Sequence, residues 1–446
     1  MRRRPEEDII VVTGVGTVNP LALNARDTLQ AVKEGRSGVG LYEPLDPNEP
    51  LLNSQVKLAA QVKGFDPNPF LTPRDLRRVH RSAALSTVAV AEALQDAGLL
   101  TDLSRLVELT EIDKLGSDYR PLDGIEPGRI GIRLGTGIGG STYIAEVQKI
   151  IDQRGDNRVP AIAMQIILAD RVEIVPSQKF QLKGPAAVTV SACASSGMAM
   201  GDALDKLRAR RADVMVSGGV DSAFHPVAYA AFNNMRALSR RNDSADKAST
   251  PFDQGAAGFI QGEGAGIVVL ERYPDAKARG AKIYAEFADY ADTADAFHDT
   301  APSGEGAVRA MRNALAYAYL NPSDIDYINA HGTSTPIGDR KELEGITEVF
   351  GDHTARLYIS SSKSMIGHIL GGAGGVEAVI TLKAMEAGII PPTINLINAI
   401  SEGMNLVPNK ALYRKYNRSM SNTFGFGGHN NSIIFNHPRV MGMFSY

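Results

Sequence analysis

The sequence predicts an α/β protein built from two similar βαβαβ-type halves. β-Branched runs that predict strands alternate with glycine-rich turns and helical segments along the chain. Two stretches share one order of strand, small polar turn and small-residue helix, namely VTVSACASSGMAMGDAL and LYISSSKSMIGHILGGAGGVEAVITL. At 446 residues the chain is too long for one ordinary core. We therefore expect an N-terminal half over residues 1–272 and a C-terminal half over residues 273–446.

The composition excludes several classes of protein. A net charge of −3 and a pI near 6.3 give nucleic acid no general attraction. A single cysteine rules out a disulfide framework within the chain. The apolar run AIAMQIILA has nine residues, too few to span a bilayer, and MRRRPEEDII turns acidic before any signal-peptide core. We expect a soluble, cytoplasmic protein with no nucleic-acid or membrane partner.

The N-terminal half opens with DIIVVTGVGTVNP, which predicts a strand entering a glycine turn. A helical segment then runs to a stop at about Gly35. TPRDLRRVHRSAALSTVAVAEALQDAG predicts one long amphipathic helix that begins near Thr72 and ends before Gly98. Its early turns are basic, with arginines at the i, i+3, i+4 and i+7 positions of one helical face: Arg74, Arg77, Arg78 and Arg81. Residues 101–128 are polar and irregular, which indicates an inserted surface loop.

A second strand and glycine turn are predicted at GRIGIRLGTGIGG. Its GxGxGG pattern is a weak indication of a nucleotide loop, because neither GK[ST] nor a GxGxxG with a distant acid accompanies it. Closely packed backbone explains these glycines better. Further strands are predicted at ADVMVSGGVDS and FIQGEGAGIVVLERY, and the alternate glycines of the latter let the backbone approach a neighbour closely.

The C-terminal half repeats this alternation. Strands are predicted at IYAEFADY, IDYINAHGTS, LYISSS and SNTFGFGGHNNSIIF, and helices around residues 307–319, 339–350 and 371–387. If the two halves face each other, the turns that follow VTVSAC and LYISSS meet at one site.

Cys193 is the first candidate for chemistry. Val188 and Val190 predict a short buried strand before it, and small residues predict a closely packed helix after it. At a helix N-terminus, unpaired amides and the positive end of the macrodipole favour a thiolate, the reactive form of cysteine. A lone cysteine is more often a small buried hydrophobic residue. The placement of Cys193 favours catalysis without deciding between these interpretations.

Two histidines and a lysine lie where predicted strands end. His331 follows IDYINA and opens HGTSTP, a turn with three hydroxyl residues. Lys363 and His368 belong to KSMIGH, directly after LYISSS. Ligands collect at strand ends in α/β sheets. We therefore expect one thiol, two imidazoles and one ammonium group to converge.

Four ordered motifs make the sequence resemble the β-ketoacyl-acyl carrier protein synthases of the condensing-enzyme family. They are SACASS around Cys193, NAHGTSTPIGD over residues 329–339, KSMIGH, and NTFGFGG over residues 422–428. The resemblance, from about residue 9 to residue 436, implies a thiolase-like fold with a layered αβαβα arrangement. It also implies that the chain extends an acyl thioester by two carbons from malonyl-acyl carrier protein, as a homodimer without metal or redox cofactor.

The resemblance implies a role for each matching residue. Cys193 would take the acyl chain as a thioester. His331 and His368 would bind the malonyl thioester carbonyl, because two N–H donors stabilise the enolate that decarboxylation leaves. Lys363 and Glu377 would support this site, although an ordinary buried ion pair is the alternative, and Asp339 is a further supporting residue.

Other roles implied by the resemblance concern the walls and mouth of the site. Backbone amides of Cys193 and Phe426 would stabilise an oxyanion. Phe424 and Phe426 in the glycine-rich turn would gate the acyl pocket. Thr333 and Thr335 would line the path of the phosphopantetheine arm. Carrier docking would fall to a set of basic residues, for which a solvated helix face is the alternative: Arg74, Arg77, Arg78 and Arg236.

The sequence also departs from the family pattern. Ala256 and Ala257 replace an Arg-Asp pair, His429 replaces the threonine after GFGG, and residues 159–181 diverge. These departures leave the acyl chain length and the pathway open. A polyketide or specialised-lipid ketosynthase is one alternative, and a non-catalytic partner subunit is another, although such subunits typically lack the cysteine. A thiolase is less consistent with the sequence, because it needs a second cysteine as its base.

Overall fold

The computed structural model describes residues 4–44, 55–68, 70–114 and 119–442. The strands of the N-terminal half are β1 Ile10–Val18, β2 Gly40–Leu41, β3 Leu58–Ala59, β4 Ile130–Gly135, β5 Ala186–Thr189, β6 Val214–Asp221 and β7 Gly264–Arg272. Those of the C-terminal half are β8 Ala285–Ala294, β9 Tyr327–Asn329, β10 Tyr358–Ser360, β11 Ile389–Ile390, β12 Leu412–Tyr413, β13 Arg418–Gly425 and β14 His429–Asn436.

The two halves of the main sheet have the same topology. Their strand orders are β5-β4-β6-β7-β1 and β10-β9-β13-β14-β8, so that in each half the third strand lies at the edge and the first lies at the junction. In both halves the three strands nearest the edge are parallel, and the last two are antiparallel to their neighbours. β1 and β8 pair only through Val11 with Glu286 and Val12 with Ala285, which joins the halves.

The helices form layers around these strands. They are α1 Ala25–Glu34, α2 Pro73–Leu76, α3 Arg81–Asp96, α4 Tyr143–Arg154, α5 Ala163–Ile167, α6 Arg171–Phe180, α7 Ser195–Arg208, α8 Pro226–Asn234, α9 Tyr273–Ala278, α10 Glu305–Tyr317, α11 Pro336–Phe350, α12 Lys363–Ile366 and α13 Ala373–Ala387. α7 packs on β4 and β6 of one half and on β8 and β14 of the other, and α13 likewise contacts β7 and β13. α3 covers β1 and β7, and α10 covers β8 and β14. The predicted layered α/β fold is therefore confirmed.

Backbone-to-backbone packing brings α13 close to β7. Both Gly266 and Gly375 are buried, and a Cβ added to either would overlap the backbone of the other. A larger residue at this contact would push the helix off the sheet. The glycines of FIQGEGAG thus serve the close approach that their alternation predicted.

The prediction of one long helix that begins near Thr72 was wrong, because the structure has two helices there. Thr72 and Asp75 form a capping box that starts α2, which ends at Leu76. His80 then caps α3 by accepting the amide of Ala83. Because the chain turns between residues 77 and 80, the four arginines do not share one helical face.

The segment before Cys193 was also predicted wrongly. β5 is an edge strand rather than a buried one, and the Val190 side chain is 55% exposed. SNTFGFGGHNNSIIF forms the β13–β14 hairpin instead of one strand. The described part of residues 101–128 contains only 3-10 turns, as expected for a surface loop. No helix in the described ranges is both long and apolar enough to cross a membrane.

Candidate active site

A cavity of about 580 Å³ lies where the turns after β5, β9, β10 and β13 converge. Its walls include Cys193, His331 and His368, contributed by three different turns. The carboxyl ends of parallel strands lie at the same edge of a sheet. Because the two halves have the same topology, the carboxyl ends of the strands in one half meet those in the other. The structure thus brings the thiol and both imidazoles to one cavity, as predicted.

A strained turn holds Cys193 in place. Ala192, the residue before it, has φ of 49°, in the left-handed region. The Ser195 hydroxyl accepts the Ser191 amide at 2.8 Å and donates to the Ala192 carbonyl at 2.6 Å. α7 begins at Ser195, so Cys193 lies directly before the helix rather than inside it. Its side chain is buried and faces the cavity.

The reacting side chains are in contact or nearly so. His368 Nε2 lies 3.0 Å from Cys193 Sγ. The rings of His331 and His368 are 5.4 Å apart and almost perpendicular, at 87°. The Phe259 ring packs edge-on against His368 at 5.2 Å. This packing leaves one small volume that faces the thiol and both imidazoles.

Burial makes these three groups neutral. Burial, with a smaller contribution from the Lys363 charge, lowers the pKa of His331 and of His368 well below the usual value. Burial also raises the pKa of the Cys193 thiol to about 12, although Lys363 and the Phe426 amide oppose this effect. The expected resting thiolate at the helix N-terminus is therefore wrong, because desolvation outweighs the helix macrodipole here.

Lys363 and Glu377 form a buried ion pair behind the cavity. The Lys363 ammonium contacts Glu377 Oε1, and both side chains are almost fully buried. Burial raises the pKa of Glu377 to about 7, and the Lys363 charge opposes that rise. Neither residue lines the cavity, so the pair acts on the imidazoles through its field.

A second buried carboxylate, which the sequence analysis missed, orients the turn of His331. Glu342 accepts the backbone amides of His331 at 2.8 Å and Gly332 at 2.7 Å. The sequence carries no clear signal for this role, because Glu342 lies beyond the first turn of α11, where acids are expected to bind free amides. Asp339, one helical turn earlier, also accepts a backbone amide, that of Phe252, at 2.8 Å.

The threonines and phenylalanines lie in the cavity wall. The Thr333 and Thr335 hydroxyls are 2.9 Å apart, and both residues line the cavity. Phe424 packs 5.8 Å from the His331 ring, and Phe426 lines the wall beyond it. Gly427 has φ of 79° and donates its amide to the Asp299 carbonyl at 2.7 Å. The segment around Asp299, which the sequence analysis did not single out, therefore meets this turn at the mouth.

The four arginines predicted for docking do not act as one group. Arg236 lines the cavity mouth, whereas Arg74, Arg77 and Arg78 are exposed outside it. Arg74 lies 3.5 Å from both Glu108 and Glu111, so acids do neighbour the proposed patch. Arg77 and Arg78 occupy the turn between α2 and α3.

The departures from the family pattern also have places in the structure. Ala257 lines the cavity with a small side chain, as does its neighbour in the wall, Ala237, next to Arg236. His429 begins β14, opposite Gly425. The divergent residues 159–181 include α6, which packs on α3 and β5 and buries the charged side chains of Arg171 and Glu173.

Family models and curated sequences match nearly the whole chain. Residues 7–276 match the model described as Beta-ketoacyl synthase, N-terminal domain, and residues 284–397 match Beta-ketoacyl synthase, C-terminal domain. The 3-oxoacyl-[acyl-carrier-protein] synthase 2 of Synechocystis sp. is 38% identical over 433 residues, which cover 96% of this chain and 98% of that protein. The protein of the same name from Staphylococcus aureus (strain COL) is 36% identical over 429 residues, covering 96% and 97%.

Solved structures have the same fold. A beta-ketoacyl synthase from Burkholderia phymatum STM815 superposes with a TM-score of 0.84 at 32% identity, covering 98% of this chain and 100% of that chain. A chain of AntDE:AntF, a type II PKS acyl-carrier protein in complex with its ketosynthase bound to the hexaketide, has a TM-score of 0.82 at 26% identity over 98% of this chain and 100% of its own. The resemblance stated from four motifs is thus confirmed along nearly the whole sequence, and the chain belongs to the beta-ketoacyl synthase family.

Proposed function

We propose that the chain is a 3-oxoacyl-acyl carrier protein synthase, which extends an acyl thioester by two carbons in fatty acid synthesis. The observation that carries this proposal is the contact of 3.0 Å between Cys193 Sγ and His368 Nε2, with His331 beside them in one cavity. The curated relatives of Synechocystis and Staphylococcus aureus carry this activity in their names. They support fatty acid synthesis as the pathway.

In the first half-reaction Cys193 takes the acyl group from its carrier. The sulfur attacks the acyl thioester carbon, the bond to the carrier sulfur breaks, and the carrier leaves as a thiol. Because the resting thiol is neutral, its proton must leave as the bond forms, and His368 Nε2 is the group in reach. The proton then passes to the departing carrier thiolate. Backbone amides of Cys193 and Phe426 are the proposed donors to the oxyanion.

In the second half-reaction a malonyl thioester supplies the carbon nucleophile. Its carboxylate leaves as carbon dioxide, and the electron pair remains as an enolate. Neutral imidazoles each carry one N–H donor, and His331 and His368 would aim these donors at the enolate oxygen. For His368 this requires the proton on Nε2, so its tautomer in this step differs from the Nδ1–H form that accepts the thiol proton. The enolate carbon attacks the acyl carbon on Cys193, the bond from that carbon to sulfur breaks, and the Cys193 thiolate takes up one proton from solvent. Since decarboxylation drives the step, this reaction requires neither a metal nor a redox cofactor.

The supporting residues have matching proposed roles. Lys363 and Glu377 would keep the two imidazoles neutral through the positive field of the ammonium group. Asp339 would hold the turn that carries Thr333 and Thr335, which line the path of the phosphopantetheine arm. Phe424 and Phe426 would gate the acyl pocket. We propose acyl carrier protein as the partner, a cytoplasmic location, and a division into functional halves at residues 272 and 273.

The homodimer is part of the same proposal. Among the described residues, β5 pairs on one side only, with β4, and the exposed apolar side chain of Val190 directly follows it. Pairing of two β5 strands about a two-fold axis would satisfy the free backbone groups and cover this side chain.

A polyketide or specialised-lipid ketosynthase is the second candidate, favoured by the likeness to the type II PKS structure and by the small side chain of Ala257 in the cavity wall. Both candidates share the chemistry and differ in the acyl group. Mass spectrometry of the group trapped on Cys193 from a mixed pool of carrier thioesters distinguishes them. A non-catalytic partner subunit would trap nothing.

The decisive variant is Cys193→Ala. We expect it to abolish acyl-enzyme formation and condensation, because no other residue in this site can form a thioester. Intact-protein mass spectrometry after incubation with acyl carrier thioester measures this directly. An acyl mass shift on the variant would contradict the assignment. Release of carbon dioxide from a malonyl thioester should persist, since that step belongs to the histidines.

A further inference from the structure

Asp221, the last residue of β6, carries a carboxylate caged by five donors. Its side chain is fully buried, and no ion pair among the described residues involves it. Oδ2 accepts the amides of Gly137 and Gly371, each at 2.7 Å. Oδ1 accepts the Thr136 hydroxyl at 2.9 Å and the amides of Ile138 at 3.1 Å and Gly139 at 3.3 Å. A buried charge held only by hydrogen bonds must be held well, because its desolvation is costly.

These donors come from two turns, one in each half of the chain. Residues 136–139 follow β4 of the N-terminal half, and Gly371 precedes α13 of the C-terminal half. Gly371 lies three residues after His368. One carboxylate thus joins the glycine turn of GTGIGG to the segment that carries a catalytic imidazole.

The turn of Cys193 is tied to the same place. A Cβ added to Gly137 would lie 3.1 Å from Asp221 Oδ2 and 3.5 Å from the Ala192 carbonyl, so the Gly137 backbone packs against both the Asp221 carboxylate and the backbone of Ala192. The Ser195 hydroxyl also reaches the Thr136 carbonyl at 3.2 Å, and the Ser196 hydroxyl contacts the Gly371 carbonyl. Ala192, whose backbone lies in the left-handed region, therefore packs against turns whose amides bind the Asp221 carboxylate.

We propose that Asp221 is a positioning residue for the condensation reaction: its carboxylate clamps the turn at 136–139 and Gly371 against the turn of Cys193, and so sets the distance from Cys193 Sγ to His368 Nε2. This inference rests on the proposed function. A misplacement of about 1 Å between reacting groups costs on the order of 10²-fold in rate, so the clamp matters although Asp221 touches no reacting atom.

The test is Asp221→Asn, which keeps the shape but offers one acceptor oxygen and turns an NH₂ group towards amides that need an acceptor. We expect kcat for acylation of Cys193 to fall at least about tenfold while KM for the acyl carrier thioester is unchanged, because Thr333 and Thr335 lie on another turn. Hydrogen exchange should rise in peptides covering residues 136–139 and 370–372. Alkylation of Cys193 by iodoacetamide should become faster, because the charge of Asp221, which helps to raise the pKa of the thiol, is lost.

Glu286→Gln is the matched control, because Glu286 is also fully buried and accepts the Asn436 side chain at 2.9 Å and the Gly442 amide at 3.0 Å, away from the cavity. Measuring the unfolding temperatures of both variants establishes that each is folded at the assay temperature. If the control loses as much acylation kcat as Asp221→Asn, or if Asp221→Asn acylates and alkylates at the parental rates, the positioning role is overturned. If the parental protein accepts no acyl group, the proposed function fails, while exchange and alkylation still decide the role of Asp221.

Discussion

At the level of single residues, the neutral state of the cavity has a direct consequence for chemistry. A thiol whose pKa is raised to about 12 cannot wait as a thiolate, so nucleophile and base must work together in each acylation. His368 contacts the sulfur, whereas the His331 ring packs against the His368 ring. The two imidazoles therefore differ in the first half-reaction, whereas both would act as N–H donors in the second.

This difference gives the first prediction. His331→Ala and His368→Ala should each lower malonyl decarboxylation by about 10²- to 10³-fold, the usual effect of removing one oxyanion donor. His368→Ala should in addition slow acylation of Cys193 more than His331→Ala does, because only His368 reaches the sulfur. Carbon dioxide release and intact-protein mass follow the two steps separately. Parental decarboxylation in either variant would show that its histidine was misassigned.

The identities of these residues were predictable, and their charges were not. Cys193, His331, His368 and Lys363 were found because each ends a strand in a motif with characteristic small or hydroxyl neighbours. The ionisation state depends on how much protein covers each group, which is a tertiary property. Glu342 and Asp221 were missed for the same reason: each accepts backbone amides that only the folded chain brings to it.

At the level of elements, the break between α2 and α3 changes the docking hypothesis. The charge of Arg74 is partly neutralised by Glu108 and Glu111, while Arg77 and Arg78 are exposed on the turn. A positive patch steers the encounter with an acidic carrier and has little effect on chemistry. The patch to test is therefore the turn, together with Arg236 at the mouth.

We predict that Arg77→Glu with Arg78→Glu raises KM for carrier-bound substrate and flattens its salt dependence. Turnover of a short pantetheine thioester should stay nearly unchanged. The comparison of Arg77→Glu with Arg74→Glu is the internal control, since the charge of Arg74 is already partly neutralised. Equal losses on carrier and pantetheine substrates would mean that this turn supports the fold, and the docking hypothesis would be dropped.

Another prediction concerns the end of the N-terminal sheet at which β6 begins. Asp213 precedes β6 and binds Arg129 at 2.8 Å and Arg272 at 2.5 Å, which ties the start of β4 to the end of β7. Hydrogen bonds from Arg129, then Arg272, lower the pKa of Asp213 to about 2. Because the folded pKa is depressed, this stabilisation is complete above the unfolded value of about 4 and is lost as pH falls towards 2.

Asp213→Asn should therefore lower the free energy of unfolding at pH 7 by about 1 kcal/mol, after a discount for the partial exposure of Asp213. Urea unfolding at pH 7 and pH 3 measures the difference, which should shrink at the lower pH. Glu344→Gln removes an exposed partner of Lys341 and should change little at either pH. A difference that grows on acidification would contradict a lowered pKa of Asp213 in the folded protein.

The strands and most helices were predictable from periodicity and glycine stops, as at Gly35. The early break in the α2–α3 segment was not found, because its TPRD capping box lies inside a continuous basic and apolar pattern. The hairpin at β13–β14 was read as one strand because its turn, GFGG, is itself part of a motif. Local signals compete at such places, and tertiary packing decides between them.

At the level of the whole molecule, each half contributes residues to the active site, because the two halves have the same strand order. Two similar halves were predictable from the repeated alternation of strand, turn and helix. The position of β5 at the edge of its sheet was not, because strand order depends on pairing between distant segments. That edge carries the prediction on oligomeric state.

Light scattering at micromolar concentration should give the mass of a dimer. Val190→Glu should shift that mass towards the monomer, because it places a charge beside the free edge of β5. Ile397→Glu is the matched control, since Ile397 is also an exposed aliphatic residue but lies outside the β5 edge. A monomeric parental protein would refute the dimer, and dissociation by both variants would place the interface elsewhere.

The packing of α7 between the halves also bears on how the protein is made. Met200, Leu204 and Leu207 of α7 share one core with Phe287 of β8 and Phe435 of β14. When residue 272 leaves the ribosome, that side of α7 has no cover, and synthesis at about 5–20 residues per second delays β14 by on the order of ten seconds. During this time the nascent chain exposes this apolar side of α7, and the nucleophile can become reactive only after translation is nearly complete.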